Sequence, residues 1–177
     1  MPKFAANLSM LYGEHDFLDR FAAAAKDGFQ AVEYLFPYGF EKDVLVDGLK
    51  NNGLTQVLHN MPPGDWDAGE RGMACLPDRI GEFQDSVGTA IDYAQALGCG
   101  QLHTMAGLRP DGVDPEKLDE TYVENLRFAA AKTKEAGIKL LIEAINTIDM
   151  PGFYLNTSAQ ALSVIAVSYT HLTLPTN

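Results

Sequence analysis

One phrase recurs along this chain: a helix-patterned stretch, a glycine, a short apolar run, and a polar residue where the run stops. The runs lie at residues 4–8, 31–36, 56–60, 101–106 and 139–145, and the helical patterns at 16–26, 42–51, 79–96 and 114–136. Gly28, Gly53, Gly98 and Gly137 stand at the joints between helix and run, where a left-handed cap is cheapest for glycine. Asp114-Pro115-Glu116 opens the last helix, with Asp as cap and Pro in the first turn. Such alternation predicts an α/β fold of βαβ units on a parallel sheet. Right-handed crossovers then carry the C-terminal end of every strand to one face.

The polar residues at those strand ends are the candidate site. Asn7, Glu33, His59, His103, Glu143 and Asn146 gather on that face, one or two per strand. Lys139-Leu140-Leu141-Ile142-Glu143 is the clearest case, because a run buried on both faces ends on a carboxylate. Taken alone, Glu143 also reads as a solvated strand end or an ion-pair partner. A lone histidine is more often a hydrogen-bonded core residue than a ligand. Glu33, inside its run, equally suits a buried partner that orients the others. Their convergence carries more weight than any member. After Glu143 the polar segment Asn146–Gly152 reads as a binding loop.

The connection from Met61 to Asp78 is too long for a simple joint. It holds the only tryptophan, Trp66, among charged residues, together with Gly69-Glu70-Arg71-Gly72. It reads as an ordered lid over the face.

Composition narrows the partners. With 24 acidic and 13 basic residues the formal charge is −11, which disfavours a broad surface for nucleic acid or anionic membrane. A small substrate fits better. No apolar run approaches a membrane span. Cys75 and Cys99 form no Cys-x-x-Cys pair, and residues 1–12 lack a signal-peptide pattern. The expectation is two reduced thiols in a cytoplasmic protein.

Five segments carry a resemblance to a known family: Asn7-Leu8-Ser9-Met10-Leu11-Tyr12, Val32–Tyr38, His59–Trp66, Gly69–Gly72 and Leu141–Asn146. Together they resemble the hydroxypyruvate isomerases, of the xylose-isomerase-like TIM barrels, over about residues 3–165. The resemblance implies part of a (β/α)8 TIM barrel with about five βα units. It implies interconversion of hydroxypyruvate and 2-hydroxy-3-oxopropanoate through an enediolate. It also implies two catalytic glutamates and, in the wider superfamily, a divalent metal between them. Glu143 matches the first glutamate and would be both base and metal ligand; Mg²⁺ or Mn²⁺ suits such an oxygen-rich site. His59, Trp66, Glu70, Arg71, His103 and Asn146 are the candidate substrate-binding residues. Ala144 stands where the family carries proline. A homo-oligomer is expected of the intact parent.

Other functions on the same barrel fit these residues: a ketose 3-epimerase, an inosose dehydratase, or an inactive fragment. A DNA-repair endonuclease also shares the superfamily, but the negative charge opposes it. Residues 1–166 read as the N-terminal part of one barrel domain. Residues 167–177, which carry no Asp, Glu, Lys or Arg, resemble translated sequencing adapter and read as a non-native tail. The chain as written is expected to be inactive and poorly soluble, with three units of a full barrel to find and only one family glutamate.

Overall fold

The computed structural model describes residues 2–168 and the backbone of residues 171–173. Its strands are β1 (Ala6–Asn7), β2 (Ala31–Glu33), β3 (Thr55–Asn60), β4 (Gln101–His103), β5 (Lys139–Glu143) and β6 (His171–Thr173). They form one sheet in sequence order, and every neighbouring pair is parallel. Between them run α1 (Arg20–Lys26), α2 (Lys42–Asn51), α3 (Ile80–Leu97), α4 (Pro115–Glu135) and α5 (Ser158–Ser168). Sequential order and parallel pairing place consecutive helices side by side on the outer face, as in an arc of a barrel.

Local sequence explains these elements. Asp114 accepts a hydrogen bond from the Glu116 amide at 3.0 Å and caps α4, which begins at Pro115. Gly98 takes φ 65° and closes α3. Alternate strand residues turn toward the helices: Ala6, Val32, Leu102, Leu140 and Ile142 are buried there. Below α1 and α2, Phe17, Phe21, Tyr34 and Phe40 stack and meet edge-on, with ring centroids 4.9 to 5.9 Å apart. Gly48 lets α2 approach, since a Cβ there would sit 3.4 Å from the Phe21 ring.

The sheet has one strand more than the five expected. His171–Thr173, inside the segment set aside as a tail, pairs with Leu141–Glu143. An open parallel edge offers N–H and C=O groups to any extended segment, so backbone pairing does not depend on a segment's origin. Val167 and Ser168 close α5, a helix absent from the expected pattern because its charge-free sequence gives only a weak amphipathic signal. Residues 169, 170 and 174–177 of the proposed tail lie outside the described residues. β1, β2, β4 and β5 are shorter than expected, whereas β3 begins one residue earlier, and all five end at a polar residue that faces the cavity.

Candidate active site

Each of the first five strands ends on a polar residue: Asn7, Glu33, Asn60, His103 and Glu143. All five line one open cavity of about 680 Å³ at the C-terminal end of the sheet. The alternation of strand side chains puts them there, because a shift of one residue moves a side chain to the opposite face. Asn7 pairs in register with Glu33, and Asn60 with His103.

Two linked pairs stand on the cavity floor. Asn7 Nδ2 donates to Glu33 Oε1 at 3.1 Å. Burial pushes the Glu33 carboxyl above its usual range, and the Asn7 hydrogen bond partly offsets that shift. His103 Nδ1 lies 3.0 Å from Asn60 Oδ1, and burial lowers the imidazole to about 4. Its Nε2 is buried and has no hydrogen-bond partner among the described residues. Glu143 ends β5 on the same wall. The lining adds Asp149 but neither lysine nor arginine, so the described walls are electronegative.

His59 is a correction. It lies one residue before Asn60 and therefore faces the helices, where it is fully buried with its ring 6.2 Å from that of Tyr38. It does not line the cavity. Burial holds this imidazole at about 4, with the Ala90 backbone opposing the shift. The sequence run 56–60 placed both residues at the strand end; parity separates them.

Glu70 and Arg71 also stand outside the cavity lining. Glu70 accepts from the Asp65 amide at 2.6 Å and pairs with Arg79. Arg71 stacks 3.9 Å from the Trp66 ring centroid and donates to the Trp66 and Glu70 carbonyls at 3.0 and 2.7 Å. Their described contacts lie within the loop and with Arg79. Trp66 does line the cavity, held between Arg71 and Phe36, whose ring centroid is 5.0 Å away. Asn146 lines it as well, but its amide is committed to the β5–α5 loop: Oδ1 accepts from the Ile148 and Asp149 amides, and Nδ2 donates to Asp149 at 2.9 Å.

The expected lid is a fixed wall. The Gly72 amide donates to the Pro63 carbonyl at 2.8 Å, the Cys75 amide to Ala106 at 2.8 Å, and Asn125 Nδ2 to Ala74 at 3.0 Å. Gly72 and Ala106 form an antiparallel bridge. Cys75 and Cys99 form no disulfide and are buried, and burial pushes their thiols up to about 12 and about 11, which disfavours the thiolate at neutral pH.

This geometry is the mouth of a parallel barrel, and a model of the xylose isomerase-like TIM barrel family matches residues 21–167. The chain belongs to that family. Among its relatives, the 2-oxo-tetronate isomerase of Cupriavidus necator is 56% identical over 156 residues, 88% of this chain and 60% of that protein. The hydroxypyruvate isomerase of Escherichia coli K12 is 50% identical over 165 residues, 93% of this chain and 64% of that protein. A crystal structure described as AP endonuclease, family 2, from Brucella melitensis is 47% identical with a TM-score of 0.94, covering 98% of this chain and 67% of that one. The chain thus spans about three-fifths of the length of these curated relatives.

The resemblance implies a divalent metal, which the described residues alone do not hold. Among the described residues no three His, Cys, Asp or Glu side chains come together to hold an ion. No helix among the described residues is long and apolar enough to cross a membrane.

Proposed function

We propose that this chain carries the enolising half of an isomerase for short 2-oxo hydroxy acids, with hydroxypyruvate and 2-hydroxy-3-oxopropanoate as the reacting pair. The observation that carries the reading is Glu143 at the end of β5, on the cavity wall beside the ends of four other strands. The isomerases of Cupriavidus necator and Escherichia coli, at 56% and 50% identity, support it.

Hydroxypyruvate becomes its aldehyde isomer when a proton leaves C3 and another arrives at C2, while the hydroxyl proton moves from O3 to O2. Glu143 acts as the base at C3. The electron pair of the broken C–H bond forms the enediol double bond, and the C2 carbonyl oxygen takes up negative charge. Trp66 covers one side of the cavity and keeps water from that intermediate. An Mg²⁺ or Mn²⁺ ion, if held by Glu143 and ligands beyond the described residues, would supply Lewis-acid stabilisation of the oxyanion. The electronegative lining supports such a cation, since an anionic substrate meets no lysine or arginine on the described walls. The same walls and the net charge of −11 oppose a phosphate backbone as substrate.

The test is hydrogen exchange at C3. The chain is incubated with hydroxypyruvate in deuterated buffer, with and without Mg²⁺ or Mn²⁺, and the C3 proton signal is followed by NMR. Deuterium should enter faster with the wild-type chain than with Glu143→Gln, by roughly 10²–10⁴-fold. Equal exchange by the two chains removes Glu143 from the chemistry.

A further inference from the structure

We infer that Asn60 is a positioning residue that holds His103 in the tautomer protonated at Nδ1, so that Nε2 meets the substrate as a hydrogen-bond acceptor for its hydroxyl group. The inference rests on the isomerase reading above and names a contact within the same site.

Three observations meet at this pair. First, Asn60 Oδ1 and His103 Nδ1 are 3.0 Å apart. A carboxamide oxygen only accepts, so the ring proton sits on Nδ1. Second, Asn60 is itself fixed: its amide donates to the Leu35 carbonyl at 2.9 Å, and its carbonyl accepts from the Tyr38 hydroxyl at 2.5 Å. The side chain therefore projects from a backbone that cannot drift. Third, His103 Nε2 is buried without a partner among the described residues, in a side chain that lines the cavity. A buried polar atom left unpaired carries a cost that a ligand can remove.

His59 shows that burial alone is not the signal. Its ring nitrogens meet no side-chain partner among the described residues, but it faces the helices, where the Ala90 backbone lies against the ring. It does not line the cavity at the strand ends, and a backbone group, not a side-chain amide, stands beside its ring. His103 differs on both counts.

Substrate chemistry then selects the contact. In hydroxypyruvate the carboxylate and the ketone can only accept hydrogen bonds, and the hydroxyl is the sole donor. Burial keeps the imidazole neutral, with a value of about 4, so Nε2 offers a lone pair and not a proton. An Nε2 acceptor therefore pairs with the hydroxyl and turns the C3 end of the molecule toward this side of the cavity.

The experiment uses the chain with ring-¹⁵N-labelled histidine, His103 being assigned by its loss in His103→Gln. The expected ligand-free spectrum shows Nδ1 protonated and Nε2 bare. Hydroxypyruvate should move the Nε2 resonance, whereas pyruvate, which lacks the hydroxyl, should not. Asn60→Asp keeps an acceptor oxygen opposite Nδ1 and should retain the tautomer. Asn60→Ala should lose it and weaken hydroxypyruvate binding about tenfold, leaving pyruvate unchanged. A wild-type ring protonated at Nε2, or an equal response to both acids, overturns the proposal. Should Asn60→Ala fail to fold, the wild-type tautomer and Asn60→Asp still decide it. Failure of the isomerase reading looks different: neither acid binds while the Nδ1 tautomer persists, which overturns the hydroxyl contact but leaves the Asn60–His103 pairing standing.

Discussion

Burial lowers the His59 and His103 imidazoles from 6.5 to about 4. Between those values the unfolded chain binds protons that the fold refuses, so their contribution to stability is complete above about pH 6.5 and is lost as pH falls toward 4. The full excursion is on the order of 3 kcal/mol for each ring. Glu33 has the opposite sign: its carboxyl is raised, so the fold loses some advantage as pH rises through that raised value. The expected outcome is a falling urea midpoint from pH 7 to pH 5, with a flatter fall in His59→Gln than in wild type. An identical slope in the two chains would show that His59 is not the buried neutral group described. At Trp66 the Arg71 guanidinium lies 3.9 Å from the ring centroid, a stack worth about 1 kcal/mol. Arg71→Ala should shift and broaden the emission of this single tryptophan, while leaving far-ultraviolet circular dichroism unchanged. An unaltered spectrum would mean that Phe36 alone holds the ring.

Among the elements, the β3–α3 connection depends most on individual residues. Gly64 takes φ 86°, and a Cβ there would lie 1.9 Å from Glu70 Oε2, the oxygen that accepts from the Asp65 amide. Gly72 takes φ 109°, and its Cβ would stand 2.3 Å from the Met105 carbonyl oxygen. Backbone strain and collision together make Gly72→Ala cost about 3 kcal/mol or more; urea unfolding measures it, and a loss below 1 kcal/mol would show that the wall yields. Little of this was legible in the chain. The Gly-Glu-Arg-Gly motif marked the loop as special, but its charges could be read as reaching for substrate as easily as for Asp65, Trp66 and Arg79. The strands were more transparent. Glycine joints and apolar runs located five of the six, and the terminal polar residues Asn7, Glu33, His103 and Glu143 do line the cavity. The run ending His59-Asn60 misled because periodicity of two states which residues share a face, not which face is inside. Asn60 shares its face with Leu58, but parity cannot be carried back to Gln56, because the β2–β3 register shifts between Val32 and Glu33.

At the scale of the molecule, the sheet runs from β1 to β6 and does not return to its start. Both end strands lack a second neighbour among the described residues, and exposed edges of this kind pair with other chains. Sedimentation velocity should therefore show association that grows with concentration, and net conversion of hydroxypyruvate should stay far below the C3 exchange. A stable monomer with full turnover would contradict both. The mouth itself is mechanically lopsided. Gly72 and Ala106 bridge the segments after β3 and β4, while Leu108 and Phe153 bridge those after β4 and β5. The Tyr154 and Arg109 amides, which donate to Gly107 and Gly152 at 2.9 Å, add to the second seam. Three successive loops are thus sewn into a single plate, and local opening of one breaks hydrogen bonds belonging to its neighbours. On the opposite side of the cavity Met10 and Leu11 follow β1 with exposed side chains, and no such bridge ties them among the described residues. The mouth is thus stitched on the side that carries Trp66 and the Asn60–His103 pair, and unstitched beside β1.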